Sequence, residues 1–145
     1  MIVMGIDPGS KGGIAILNAG TIIFTCAMPL IAKTDIDVCA IISAIKTYKA
    51  EFIVIEHSQA FPKMGKSQTF KFGENFGAVK AAADLSGVPF TLVKPREWQK
   101  KAHIGTPPKL PPKDRSLLVF RRLYPQETTK HDGIIDAVLI AKDFN

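Results

Sequence analysis

The chain has 145 residues, 46% hydrophobic and 22% charged, enough apolar matter for one buried core and too much for a disordered chain. Lys and Arg outnumber Asp and Glu 19 to 13, for a formal charge of +6, and such a surplus favours a polyanionic partner, nucleic acid before an anionic membrane. No apolar run reaches the roughly 18 residues that cross a bilayer, and no basic-then-apolar leader precedes the first strand pattern. Cys26 and Cys39 stand in apolar stretches without CxxC spacing and are expected as buried free thiols; His57, His103 and His131 pair with no cysteine at zinc-finger spacing. The expectation is one cytoplasmic domain spanning residues 1–145, with no membrane partner.

Ile2 to Asp7 reads as an apolar strand stopped by Pro8-Gly9. Gly13 to Leu17 is a second strand, Asn18-Ala19-Gly20 a turn, and Thr21 to Met28 a third strand ending at Pro29, so the three form an antiparallel meander. Thr34 or Asp35 can cap a helix to about Tyr48, with Ile36, Cys39, Ala40, Ile42 and Ile45 near one face. Phe52 to Ile55 is continuously apolar, as a strand covered on both faces should be, and ends in Glu56. A polar loop runs from His57 to Lys66. Ser67 can cap a long helix to about Leu85, stopped by Gly87 and Pro89. Phe90 to Val93 is a fifth strand, and Pro95 opens a short helix to about Lys101. His103 to Pro112 is an irregular loop; Lys113 to Leu123 and Lys130 to Asp143 are the last helices. The order β-β-β-α-β-α-β-α-α implies a mixed α/β five-stranded sheet with helices on both faces and ligands at the carboxyl ends of its parallel strands.

Asp7 and Glu56 each close an apolar strand. One such acid is most simply a turn cap, but two at one sheet edge, roughly 5 to 8 Å apart if the first and fourth strands are neighbours, repel unless a divalent metal lies between them. Asp132 and Asp136 are four apart, on one face of the last helix. Asp132 can be read as that helix's cap; Asp136 precedes an apolar run and has no basic residue at i±3 or i±4. Four carboxylates on three elements suit a hard cation, Mg²⁺ or Mn²⁺. Two such ions about 4 Å apart serve phosphodiester cleavage.

These residues also resemble a known family. Gly5-Ile6-Asp7-Pro8-Gly9-Ser10 with Gly13-Ile14-Ala15, Ile53-Val54-Ile55-Glu56, and His131-Asp132-Gly133 followed by Asp136-Ala137-Val138-Leu139-Ile140-Ala141 are similar, in order, to the catalytic elements of the RuvC-family Holliday junction resolvases of the RNase H-like superfamily. The resemblance implies an RNase H-like fold and a homodimer that nicks two opposed strands of a four-way DNA junction with Mg²⁺. It makes Asp7, Glu56 and Asp136 metal ligands. In well-known bacterial members the last two acids are three apart, a spacing that lands here on Gly133, so Asp132 is assigned as the fourth ligand with His131 as the alternative. The chain is nearer in length to compact phage-type members.

The loop after Glu56 lies where family members reach into the junction centre. Phe61 and Met64 would wedge against bases and Lys63 and Lys66 would meet phosphates; otherwise Phe61 folds inward. On the long helix Phe72, Phe76, Val79 and Ala83 form a stripe read as packing on the sheet, while Gly73 and Gly77 mark a close-packing face, against either the sheet or a second protomer. Lys94, Arg96, Lys100, Lys101, Lys109, Lys113, Arg115, Arg121 and Arg122 form the densest basic stretch. Lys100, Lys101, Lys109, Lys113 and Arg115 are its DNA-binding candidates, with Lys113 nearest the scissile phosphate. Trp98 is expected in the core. An actin-like ATPase shares the opening Gly-x-Asp-x-Gly but needs a second domain, for which 145 residues leave no room. An RNase H acting on RNA–DNA hybrids, or a catalytically idle junction-binding scaffold, are the other readings.

Overall fold

A computed structural model describes residues 1–57 and 59–145. The meander forms as expected from β1 (Ile2–Asp7), β2 (Gly13–Asn18) and β3 (Thr21–Ala27), with antiparallel pairing throughout. Ala19 and Gly20, both at positive φ, make the tight β2–β3 turn that right-twisted strands favour. The next segment departs from expectation. Leu30–Ile31 (β4) and Asp35–Ile36 (β5) form a two-rung antiparallel pair, so Thr34 and Asp35 belong to a small hairpin and cap nothing. Asp37 is the cap instead, accepting from the Ala40 amide at 3.0 Å, and α1 runs Val38–Thr47. The later start rotates the inward face to Ile41 and Ile45 and leaves Cys39 exposed; Cys26 is half-buried, so neither free thiol is the buried group expected.

α1 crosses over to β6 (Phe52–Glu56), which runs parallel to β1 with Ile6 opposite Ile55. The helix α2 (Lys66–Ser86) is capped by the Gly65 backbone rather than by the Ser67 hydroxyl, and Gly87 at φ 72° ends it. β7 (Phe90–Val93) pairs parallel with β6, followed by α3 (Pro95–Ala102), α4 (Pro112–Leu123) and α5 (Asp132–Lys142). The sheet order is β3-β2-β1-β6-β7. Alternation along the strands splits the core in two. Met4, Ile6, Ile14, Ile16, Ile53 and Ile55 meet α1 and α2, where Val79 and Ala83 are buried. On the other face Val3, Ala15, Leu17 and Val54 meet Trp98, Phe120, Ile135 and Val138 of α3 to α5. Burial on both faces explains why β6 is apolar without interruption.

The seat of α5 on the sheet depends on missing side chains. A Cβ on Gly5 would collide with the Ala137 carbonyl, and one on Gly133 with the backbone of Gly12. Gly12 and Gly133 form a bridge between the β1–β2 loop and the start of α5. Backbone therefore lies directly on backbone, and the first two turns of α5 are brought to the carboxyl end of β1.

Candidate active site

Asp7 and Glu56 each stand one residue beyond the Ile6–Ile55 pair, at the same edge of neighbouring parallel strands. Asp136, one turn into α5, faces the same point. Burial pushes Asp7 up to about 6, against the opposing pull of the Gly9 amide and of the nearby His131 and Lys113. Burial, then the neighbouring Asp7 and Asp136, push Glu56 up to about 7, although the Trp98 indole N–H holds it back. Asp136 is likewise pushed up to about 7 by burial and by Asp7 and Asp132, while a hydrogen bond from Ser116 and the charge of Lys113 work the other way. Mutual repulsion among the three acids is the arrangement expected of groups whose charge is completed by a cation.

Asp132 is the first residue of α5, not its cap; His131 is the cap, its Nδ1 accepting from the Ile134 amide at 3.3 Å. Lys113 Nζ donates to Asp132 Oδ2 at 2.7 Å, which raises the Lys113 pKa. Asp7, Gly9, Lys113, His131, Asp132 and Asp136 line one open cleft of about 520 Å³. Among the described residues no three His, Cys, Asp or Glu side chains converge tightly enough to hold an ion. Asp7, Asp132 and Asp136 share this open cleft, and Trp98 engages one Glu56 oxygen and Lys113 one Asp132 oxygen. The donor set itself, carboxylate oxygens with an imidazole at the rim, fits Mg²⁺ or Mn²⁺.

A second hollow of about 370 Å³ opens from the other side of Asp7 and Glu56, lined also by Phe61, Phe72, Lys94 and Arg96. Phe61 is 68% exposed and so is not folded inward. Phe72 faces this hollow rather than the sheet, whereas Phe76 packs against the core beside Val79. Lys63 and Lys66 are exposed, and Met64 lies across α2 from it, against Ser10 and Phe72. Ser58, within the predicted loop, lies outside the described residues. Arg96, Gln99, Lys100, His103 and Arg115 surround a third, polar hollow with no acid on its wall. Arg96, which lines both hollows, joins them. Lys101 departs from the predicted DNA face: it pairs with Asp143 at 2.8 Å, at the far end of α5, beside Arg122 and Lys142. Lys109 is exposed in the α3–α4 loop. Trp98 is fully buried, as expected, but its N–H bond to Glu56 at 2.8 Å was missed. The rule that a buried indole N–H needs an acceptor was the available signal. Ser116 and His103 were also missed, and a lone serine on a helix gives no such signal.

The fold is RNase H-like, a mixed five-stranded sheet flanked by helices, here with carboxylates at the ends of the first strand and the fourth strand of that sheet and in the first two turns of the last helix. Its elements superpose on those of solved RuvC structures. Thermus thermophilus RuvC in complex with a Holliday junction substrate superposes with a TM-score of 0.74 at 20% identity, over 98% of this chain and 91% of that one. A second structure of Thermus thermophilus RuvC gives 0.70 at 22% identity, over 98% and 92%. The yeast mitochondrial Holliday junction resolvase Ydc2 gives 0.55 at 14% identity, over 97% and 75%. No family model matches the chain, and no curated protein matches it at a significant level. At these identities the likeness establishes the fold.

Proposed function

We propose that the chain is a metal-dependent endodeoxyribonuclease that resolves four-way DNA junctions. The observation that carries this reading is the placing of Asp7, Glu56 and Asp136, three partly buried acids with raised pKa values, within electrostatic reach of one another at one edge of the sheet, with Lys113 and Arg96 beside them. Asp7, Glu56 and Asp136 would hold Mg²⁺ or Mn²⁺, two ions in this reading, with Asp132 completing the set once Lys113 releases it, or His131 in its stead. Such ions supply Lewis acidity at the scissile phosphate and lower the pKa of an attacking water.

The chain's own residues account for the rest. Lys113, ion-paired with Asp132 in the free protein, exchanges that carboxylate for a non-bridging phosphate oxygen when DNA arrives. Arg96, Lys100 and Arg115 line one acid-free hollow and take a phosphate away from the cut. Lys63, Lys66 and Lys109 extend the contact, and Phe61, with Met64 behind it, wedges against bases at the branch. The fold shared with a RuvC solved in complex with a Holliday junction substrate supports this substrate over a linear duplex.

A paired cut needs two active sites, hence a homodimer. Its proposed seat is the outer face of α2, where Phe70 (71% exposed) and Leu85 (72%) flank Gly73, Gly77 and Ala81. Nothing lies within 4 Å of a Cβ built on either glycine, so a second backbone can approach closely. Antiparallel crossing about Gly77 brings Phe70 of one protomer to Leu85 of the partner subunit, the self-complementary match a two-fold axis requires.

The test is cleavage of a synthetic four-way junction beside a matched linear duplex and an RNA–DNA hybrid, each with Mg²⁺ and with EDTA. Paired, Mg²⁺-dependent nicks in the junction alone are expected. Cutting of the hybrid would reassign the chain to the RNases H, and binding without cutting would make it a scaffold.

A further inference from the structure

Each of the three acids has a neutral donor beside it. The Trp98 indole N–H donates to Glu56 Oε2 at 2.8 Å, while the Gly9 amide and the Ser116 hydroxyl lie near enough to Asp7 and Asp136 to favour their charged forms. Trp98 and Ser116 belong to one connected group. Ser116, 2% exposed, has its Oγ 3.0 Å from Nε2 of His103, which is 4% exposed. The His103 ring meets the Trp98 ring edge-on, with centroids 6.0 Å apart. The His103 carbonyl is held in turn by the Thr106 hydroxyl at 2.7 Å and the Arg115 guanidinium at 3.2 Å.

Proton counting fixes the direction of this chain of bonds. Ionised, as a cation requires it, Asp136 only accepts, so the single Ser116 hydroxyl proton then turns to Asp136. Ser116 Oγ must then accept from His103, which requires the neutral ring to carry its proton on Nε2. Donation runs one way: His103 N–H to Ser116 O–H to Asp136. The neutrality of every donor matters. A Lys or Arg here would cancel the charge of Glu56 or Asp136 and compete with a cation for it. A neutral donor fixes the carboxylate rotamer and leaves its negative charge for an ion in the cleft.

We propose that Trp98, Ser116 and His103 are positioning residues of the metal site: α3 and α4 form its rear wall and hold Glu56 and Asp136 in the rotamers that bind the cation. The inference rests on the nuclease reading above.

Mn²⁺ is the probe, its free concentration followed by electron paramagnetic resonance during titration of the full-length protein. Junction binding in EDTA and Mg²⁺-dependent cleavage are measured in parallel. Trp98→Phe keeps the ring and deletes the donor; Ser116→Ala deletes one oxygen; His103→Leu removes the donor at the head of the chain. Each is expected to weaken Mn²⁺ binding about 10- to 100-fold; Trp98→Phe and Ser116→Ala are expected to leave junction binding in EDTA unchanged, whereas His103 also lines the hollow of Arg96 and Arg115 and its variants are judged on Mn²⁺ affinity alone. His103→Gln, whose amide nitrogen takes the place of Nε2, is expected to restore Mn²⁺ affinity to near the wild-type value. Folded Trp98→Phe and Ser116→Ala proteins with wild-type Mn²⁺ affinity would overturn the inference. So would a His103→Gln protein as weak as His103→Leu, because volume and not donation would then be at stake. Should one variant fail to fold, the other two decide. A wild-type protein that neither binds Mn²⁺ nor cuts the junction refutes the nuclease reading and this inference with it. A wild-type protein that does both, beside variants that match it, refutes the positioning role alone.

Discussion

Asp7 stands at the end of a strand whose four preceding residues are buried, with Glu56 beside it on the neighbouring strand. In the free protein this carboxylate is a source of strain, since burial works against its charge and that charge in turn works against those of Glu56 and Asp136. A residue kept at a cost in stability is a mark of function, and it allows two opposite effects to be read from one substitution. Asp7→Asn keeps the shape and removes the charge. Cleavage of the junction should fall by roughly 10⁴-fold or more, as when a central catalytic group is lost, while junction binding in EDTA persists. The thermal midpoint of the metal-free protein should rise at pH 8. An unfolded variant would instead make Asp7 a structural residue, and a variant that cuts normally would remove it from the site. This acid was legible in the sequence because it interrupts an apolar strand. The donors behind the acids were not: Ser116 is an ordinary helical serine until α4 is laid against α5, and no sequence spacing relates it to His103 across an irregular loop.

At the scale of elements, the strands of the main sheet were readable because period and punctuation agreed, with apolar runs bounded by Pro, Gly and Asn. The β4–β5 hairpin was not, since two-residue strands carry no periodicity and Asp35 looks like a cap in isolation. Asp35 instead pairs across the hairpin with Ile31 and meets Lys71 of α2 in an exposed 2.6 Å ion pair. Charge density likewise located a basic region but not its directions: Lys100 and Lys101 are adjacent, yet one lines the hollow beside α4 and the other turns to Asp143. Two glycine positions make opposite predictions. Gly133→Ala drives a methyl group into Gly12 and should both destabilise the fold, by about 2 to 3 kcal/mol as overpacking does, and lower cleavage by displacing Asp132 and Asp136. Gly77→Glu points into open space. It should leave the protomer fold intact, with a helix-propensity gain of up to about 1 kcal/mol, but place like charges at the proposed two-fold axis. Sedimentation velocity should show wild-type dimer and variant monomer; a dimeric Gly77→Glu protein would move the interface off α2.

At the scale of the whole molecule, a net charge of +6 favours a polyanionic partner, while the acid edge carries charge of the opposite sign, and burial of those acids makes stability depend on pH in a specific way. Asp7, Glu56 and Asp136 titrate at about 6, 7 and 7 in the folded protein, above the ordinary carboxylate values of 3.8 and 4.5. Between those limits the folded state binds more protons than the unfolded state, so stability falls as pH rises. Their contribution is fully present below about pH 4 and is lost as pH climbs through 6 to 7. His103 works against this trend: burial and the nearby Arg115 lower its pKa, so acidification to pH 5 costs the folded state at that one group. Three carboxylates against one imidazole leave the net sign with the acids. In EDTA the thermal midpoint should therefore drop from pH 5 to pH 8. A cation bound by the ionised acids should recover that loss, so Mg²⁺ should raise the midpoint strongly at pH 8 and little at pH 5, where protons already occupy the site. The combined Asp7→Asn, Glu56→Gln and Asp136→Asn protein should lose both the downward slope and the Mg²⁺ response. Calorimetric scans at the two pH values, with Mg²⁺ and with EDTA, decide it: an equal Mg²⁺ effect at both would mean that the ion acts somewhere other than these three carboxylates.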